Sequence, residues 1–125
     1  MTPESVKRVA EANLRKAQLR QHSEATRADI AFEAVYMWCR YIMAGREEGL
    51  RHPQASVLRG TAELLGWPEC SIATALTHLD FRETHERLAR PESPTEALLS
   101  RSTRETLVAI ALKLKAAADH RLGGS

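Results

Sequence analysis

The chain predicts an all-α fold, an up-and-down bundle of four to five helices forming one domain over residues 1–125. Three observations carry this. Apolar residues recur at helical spacing in four long stretches. Gly and Pro fall between those stretches rather than inside them. No segment alternates apolar and polar residues as a half-buried strand would. Four long helices joined by short connections fit an up-and-down arrangement.

The first helix begins at Thr2-Pro3-Glu4: a capping hydroxyl, a proline at the first helical position and an acid at the positive end of the dipole. Val6, Val9, Ala10, Asn13, Leu14 and Ala17 follow with helical spacing. QHSEAT, residues 21–26, reads as a connection. From Thr26 to Ala44 there is no Gly or Pro. Ile30, Ala34, Val35, Trp38, Tyr41 and Ile42 line one face of this second helix, and Phe32, Tyr36, Cys39 and Met43 a second. A helix apolar on two faces belongs in the middle of a bundle. Its four aromatic residues read as core packing rather than a cofactor pocket. Gly45 is the expected stop.

REEGLRHPQ, residues 46–54, reads as a loop. Pro53 is expected to open a third helix carrying Val57, Leu58, Thr61, Leu64 and Leu65 inward, with Gly66 at its end. Trp67-Pro68 then turns the chain into a fourth helix striped by Ile72, Ala75, Leu76, Leu79 and Glu83. Its pattern weakens after Phe81, and two prolines in ARPESP, residues 89–94, break it. Two capping-box sequences follow, Ser93-Pro94-Thr95-Glu96 and Ser102-Thr103-Arg104-Glu105. They predict a short helical turn over 94–99 and a main last helix over 103–121, striped by Leu107, Ile110, Ala111, Leu114 and Ala118. LGGS reads as a frayed tail.

Composition narrows the function classes. The 18 basic and 16 acidic side chains leave a net charge of only +2, with no run of one sign. A protein that grips nucleic acid through phosphates usually shows a basic stripe. Lys7, Arg8, Arg15, Lys16, Arg20 and Arg27 make the N-terminal quarter somewhat basic, but Glu4, Glu11 and Glu24 interrupt it. That stretch is read as a solvated face, with nucleic-acid binding as an alternative. No apolar run approaches the ~20 residues of a membrane helix, and no apolar signal core opens the chain. A cytoplasmic setting is expected. Cys39 and Cys70 read as two buried free thiols. No phosphate-binding glycine loop, nucleophile elbow, HExxH or CxxC is present, so no metal or cofactor is expected.

ANLRKAQLRQHS leads into RADIAFEAVYMWCRYIMAG, a polar loop, RHPQASVLRGTAELLGW, and a helix closing in LTHLDFRETHERL. Over residues 12–118 this order resembles the HEPN helical-bundle superfamily, in particular small bacterial proteins paired with minimal nucleotidyltransferases. Arg51-His52-Pro53 and Leu65-Gly66 sharpen the resemblance. Many such proteins are metal-independent ribonucleases that act as two-fold dimers through an Arg-x(4–6)-His or Arg-Asn-x-x-x-Tyr signature. Others lack the signature and serve as antitoxins or binding partners.

The signature's slot falls at residues 79–88. Its Arg-Asn step lands near Glu83-Thr84 and its Tyr or His near Leu88, so it is not kept. Arg82 and His85 stand there instead, three apart and on one helical face. His85 has the chemistry of a proton shuttle, and Arg82 that of a phosphorane stabiliser, but Glu83 and Glu86 beside them repel phosphate. Arg46 with His52 also fits Arg-x(4–6)-His, in a loop; Arg15 with His22 fits at a helix end. These are weak candidates. His52 is read first as a cap of the third helix, and His78 as facing a neighbouring helix.

The resulting expectation is a non-catalytic interaction module, homodimeric and one half of a toxin–antitoxin-like or nucleotidyltransferase-linked pair with a cognate protein partner. Phe81, Leu88, Leu98 and Leu99, where the core pattern fails, suggest a partner surface. The alternatives are a HEPN-type ribonuclease at Arg82 and His85, and a nucleic-acid-binding bundle.

Overall fold

A computed structural model describes residues 2–43, 46–47, 49–84 and 93–120. Five α-helices occur among them: α1 (Pro3–Lys16), α2 (Glu24–Met43), α3 (Ala55–Leu65), α4 (Ala73–Thr84) and α5 (Pro94–Ala118). A 3₁₀ turn, Glu69–Ile72, leads into α4. No strand is present among the described residues. The all-α bundle read from the sequence is therefore the observed class.

The helix starts follow local chemistry. Thr2 Oγ1 accepts the Ser5 N–H at 3.1 Å, as expected of its capping position. Ser23 Oγ accepts the Thr26 N–H at 3.2 Å, which starts α2 at Glu24, within the stretch expected to be a connection. α3 starts at Ala55, not Pro53, because Gln54 still has extended backbone (φ −145°, ψ 135°). Gly66 ends it in the left-handed conformation (φ 71°), where an L side chain is disfavoured.

α5 is one helix, not a turn followed by a helix. Ser93 Oγ caps it by accepting the Glu96 N–H at 3.1 Å. The second capping box stays helical, with Ser102 exposed in mid-helix. A serine there costs only about half a kcal/mol relative to alanine.

α2 is the axis of the bundle. Ala31, Phe32, Val35, Tyr36, Trp38, Cys39 and Ile42 are all buried on it, as the two-faced pattern requires. α1 packs antiparallel to it: Arg27 Nε donates to the Ala17 carbonyl at 2.9 Å, and Lys7 Nζ lies 6.0 Å from the Tyr41 ring centre. Val6, Ala10, Leu14 and Ala17 are buried, whereas Val9 sits at the open edge of the stripe. α3 is tied in by the Thr61 hydroxyl, 2.8 Å from the Val57 carbonyl and 3.3 Å from that of Cys39.

α4 runs in the same sense as α2, since Asp29 meets His78 and Glu33 meets Arg82. α5 also lies along α2 in the same sense, so α4 and α5 run parallel within the bundle and the up-and-down order read from the sequence does not extend to them. Arg104 bonds Glu24 in the first turn of α2 at 2.9 Å, and the α5 stripe beyond it, Leu107, Ile110, Ala111, Leu114 and Ala118, is buried. Residues 94–103 therefore project past the start of α2.

The two cysteines differ. Cys39 is buried as expected, but Cys70 is exposed, because the 3₁₀ turn after Pro68 turns only Ile72 inward. Burial pushes the Cys39 thiol up to about 12, against the small opposing effect of its Thr61 hydrogen bond. A thiol so placed is inert near neutral pH. An aromatic disulfide reagent is expected to titrate one thiol in the folded protein and two in denaturant. Two fast-reacting thiols under native conditions would contradict the packing of Cys39.

Candidate polar seam between helix 2 and its neighbours

The polar residues of α2 are not scattered. Asp29, Glu33, Tyr36 and Arg40 recur at spacings of four, three and four, which places them in one row. Each meets a partner from elsewhere in the chain. His78 Nε2 lies 2.8 Å from Asp29 Oδ1. Arg82 Nη1 donates to Glu33 Oε1 at 2.8 Å. Tyr36 Oη lies 2.5 Å from His52 Nδ1. Arg40 Nη2 stands 3.8 Å from Glu47 Oε2.

The aromatic rings build the floor of this seam. Phe32, fully buried, sits 5.4 Å from the His78 ring and 6.1 Å from Tyr36. The Arg82 guanidinium lies 5.0 Å over the Phe32 ring centre, a cation–π contact that adds to its ion pair. Phe81 covers the outer side of His78 at 6.3 Å. His78 is thus held between two rings and a carboxylate, facing a neighbouring helix as read from the sequence.

At the other end the 46–54 loop folds onto α2. The Gln54 N–H donates to Tyr36 Oη at 3.0 Å. His52 Nδ1 meets the same hydroxyl, which turns the other ring nitrogen, Nε2, away from it. That nitrogen faces Glu47 Oε2 at 3.7 Å. Burial raises the Tyr36 phenol above its ordinary value, although the Gln54 N–H and the Arg40 charge both pull it down. Tyr36 therefore stays a neutral hydrogen-bonding group at physiological pH. Glu47 is only 5% exposed, and Arg40 and His52 are the basic groups beside it.

Of the sequence candidates, Arg82 lies on α4 with its guanidinium on Glu33, and His85 lies outside the described residues. Arg46 is exposed in the turn after α2, whereas His52 is turned inward to Tyr36 rather than capping α3. Sequence reasoning missed the acidic side of the seam, Asp29 and Glu33. The signal was present: two acids four apart on one predicted helix, and a His and an Arg four apart on another.

What the seam does chemically follows from these contacts. Both ring nitrogens of His52 face a named partner, and His78 is buried against Asp29. These pairs cross-link α4 and the loop to α2. A partly exposed pair such as Arg82–Glu33 contributes about 1 kcal/mol or less. Among the described residues no group of three or more His, Cys, Asp or Glu is placed to hold a metal ion. None of the helices is long and apolar enough to cross a membrane, again among the described residues.

No family model matches the chain, and comparisons with curated proteins and with solved structures return no match.

Proposed function

We propose that the protein is a HEPN-like, non-catalytic interaction module, a homodimer that serves as one half of a toxin–antitoxin-like or nucleotidyltransferase-linked pair. The observation that carries this reading is the fate of Arg82. It occupies the slot where the resembled ribonucleases keep their signature, yet its guanidinium is bonded to Glu33 and laid on Phe32. An arginine neutralised in this way is a helix-to-helix tie. To hold a phosphate it must first give up a carboxylate of its own chain. The apolar side chains left over by the core support the second half of the reading. Phe81 is 46% exposed, and Leu98 and Leu99 are each 66% exposed.

Fluorescence anisotropy with labelled single-stranded RNA across a salt series tests it. The expected result is no saturable binding at physiological salt. Tight binding that falls steeply as salt rises would instead favour the nucleic-acid-binding alternative, because counterion release gives that slope.

A further inference from the structure

α5 is longer than the core it covers. Its ten residues before Arg104 extend about 15 Å past the start of α2. On its outward side Leu98, Ser102, Glu105, Ala109, Leu112 and Ala116 recur at spacings of four, three, four, three and four, and all six are exposed. That spacing is a heptad seam on the face opposite the buried stripe. It is lined by two leucines, Leu98 at 66% and Leu112 at 49% exposure.

We propose that this seam docks against the same seam of a second copy, antiparallel and about a two-fold axis near the level of Leu107. The inference rests on the interaction reading above and names its partner surface. The seam fits itself in one register. Leu98 then faces the partner's Ala116, Ser102 faces the partner's Leu112, and Glu105 faces the partner's Ala109. Every layer sets a longer side chain against a small one, which lets two helices interdigitate. A two-fold contact requires this self-complementarity.

The parallel alternative stacks Glu105 on the partner's Glu105 and Ser102 on the partner's Ser102, so it repels and leaves gaps. In the antiparallel register exposed Lys113, one turn from Ala109, comes near the partner's Glu105. Arg101 on the flank is balanced by its own Glu105 at 3.2 Å. The contact runs about 27 Å along one helix, at the small end of specific interfaces. The dimer is therefore a reversible one that grows with concentration.

Disulfide trapping in a Cys70→Ser background tests the register. Glu105→Cys and Ala109→Cys proteins are oxidised separately and as a mixture. The expected result is a linked dimer in the mixture and none from either protein alone. Light scattering is expected to show a concentration-dependent dimer, weakened roughly tenfold or more by Leu98→Glu. Leu98 lies in the overhang, away from the core, and unchanged circular dichroism verifies that the variant folds. Linkage of each single variant with itself would overturn the antiparallel register. A monomer at every concentration, or a dimer indifferent to Leu98→Glu, would overturn the self-pairing. A monomer would remove the homodimer of the proposed function as well, whereas a dimer indifferent to Leu98→Glu, or one linked in each single variant, would remove this seam or its register alone.

Discussion

Phe32→Ala is expected to lower the unfolding free energy by about 3–5 kcal/mol, the range for emptying a fully buried aromatic site. Phe32 has no exposed surface. Its ring touches Tyr36 on its own helix, His78 on α4, and the Arg82 guanidinium above it. Truncation removes transfer energy and leaves a cavity between α2 and α4. The Asp29–His78 and Glu33–Arg82 pairs then lose the surface that orients them. Urea unfolding followed by tryptophan fluorescence measures the loss, since Trp38 and Trp67 both remain. A loss below about 1 kcal/mol would mean that α4 does not pack on α2 as described.

Arg27→Ala comes next, at about 2–3 kcal/mol. Arg27 is buried, and its guanidinium does two things. Nε donates to the Ala17 carbonyl at the C-terminal end of α1, where unpaired carbonyls need donors. Nη1 donates to Glu24 Oε1 at 3.0 Å. Alanine leaves the carbonyl with a lost partner and Glu24 with one cation fewer.

The same cluster sets an acid dependence. Burial alone would raise the Glu24 carboxyl. The Arg104 hydrogen bond and the charges of Arg104, Arg27 and Arg101 together outweigh it and hold Glu24 below the usual carboxylate value. A depressed acid contributes stability above its unfolded pKa and loses it as pH falls through the lowered folded value. Removing Arg27 weakens that depression, so stability gained from this group shrinks on the acid side. The acid-unfolding midpoint of Arg27→Ala is expected at higher pH than that of the wild type. An unchanged midpoint would contradict the role given to this cluster.

Much of the architecture was legible because it rests on local rules. The Thr2 cap, the two-faced apolar pattern of α2, the Gly66 stop and the stripe from Leu107 to Ala118 are short-range signals, and each produced its element. The continuity of α5 was not legible. Two capping boxes nine residues apart look alike in sequence. Only the first is used as a cap, by Ser93, and the helix runs on through the second. Cys70 misled for a related reason: Trp67, Pro68 and Ile72 close to it are apolar, but the turn after Pro68 decides which of these residues points inward.

The site divides along the same line. His78 stands beside Leu79 of the buried stripe, the local signal that it faces a neighbour, and it does so against Asp29. The partners Asp29 and Glu33 are 49 residues from His78 and Arg82. Only the packing of α4 along α2 joins them. His52 precedes a helix, the position expected of a cap. It turns instead to Tyr36, whose hydroxyl the loop also meets through the Gln54 N–H, and that convergence is a tertiary event.

The most direct test of the central claim is incubation of the purified protein with single-stranded RNA in excess chelator, alongside Arg82→Ala and His85→Ala. The expected result is intact RNA in all three, with Arg82→Ala changing only stability. Metal-independent cleavage by the wild type that disappears in both variants would contradict the account and make Arg82 a catalytic residue rather than a tie between helices.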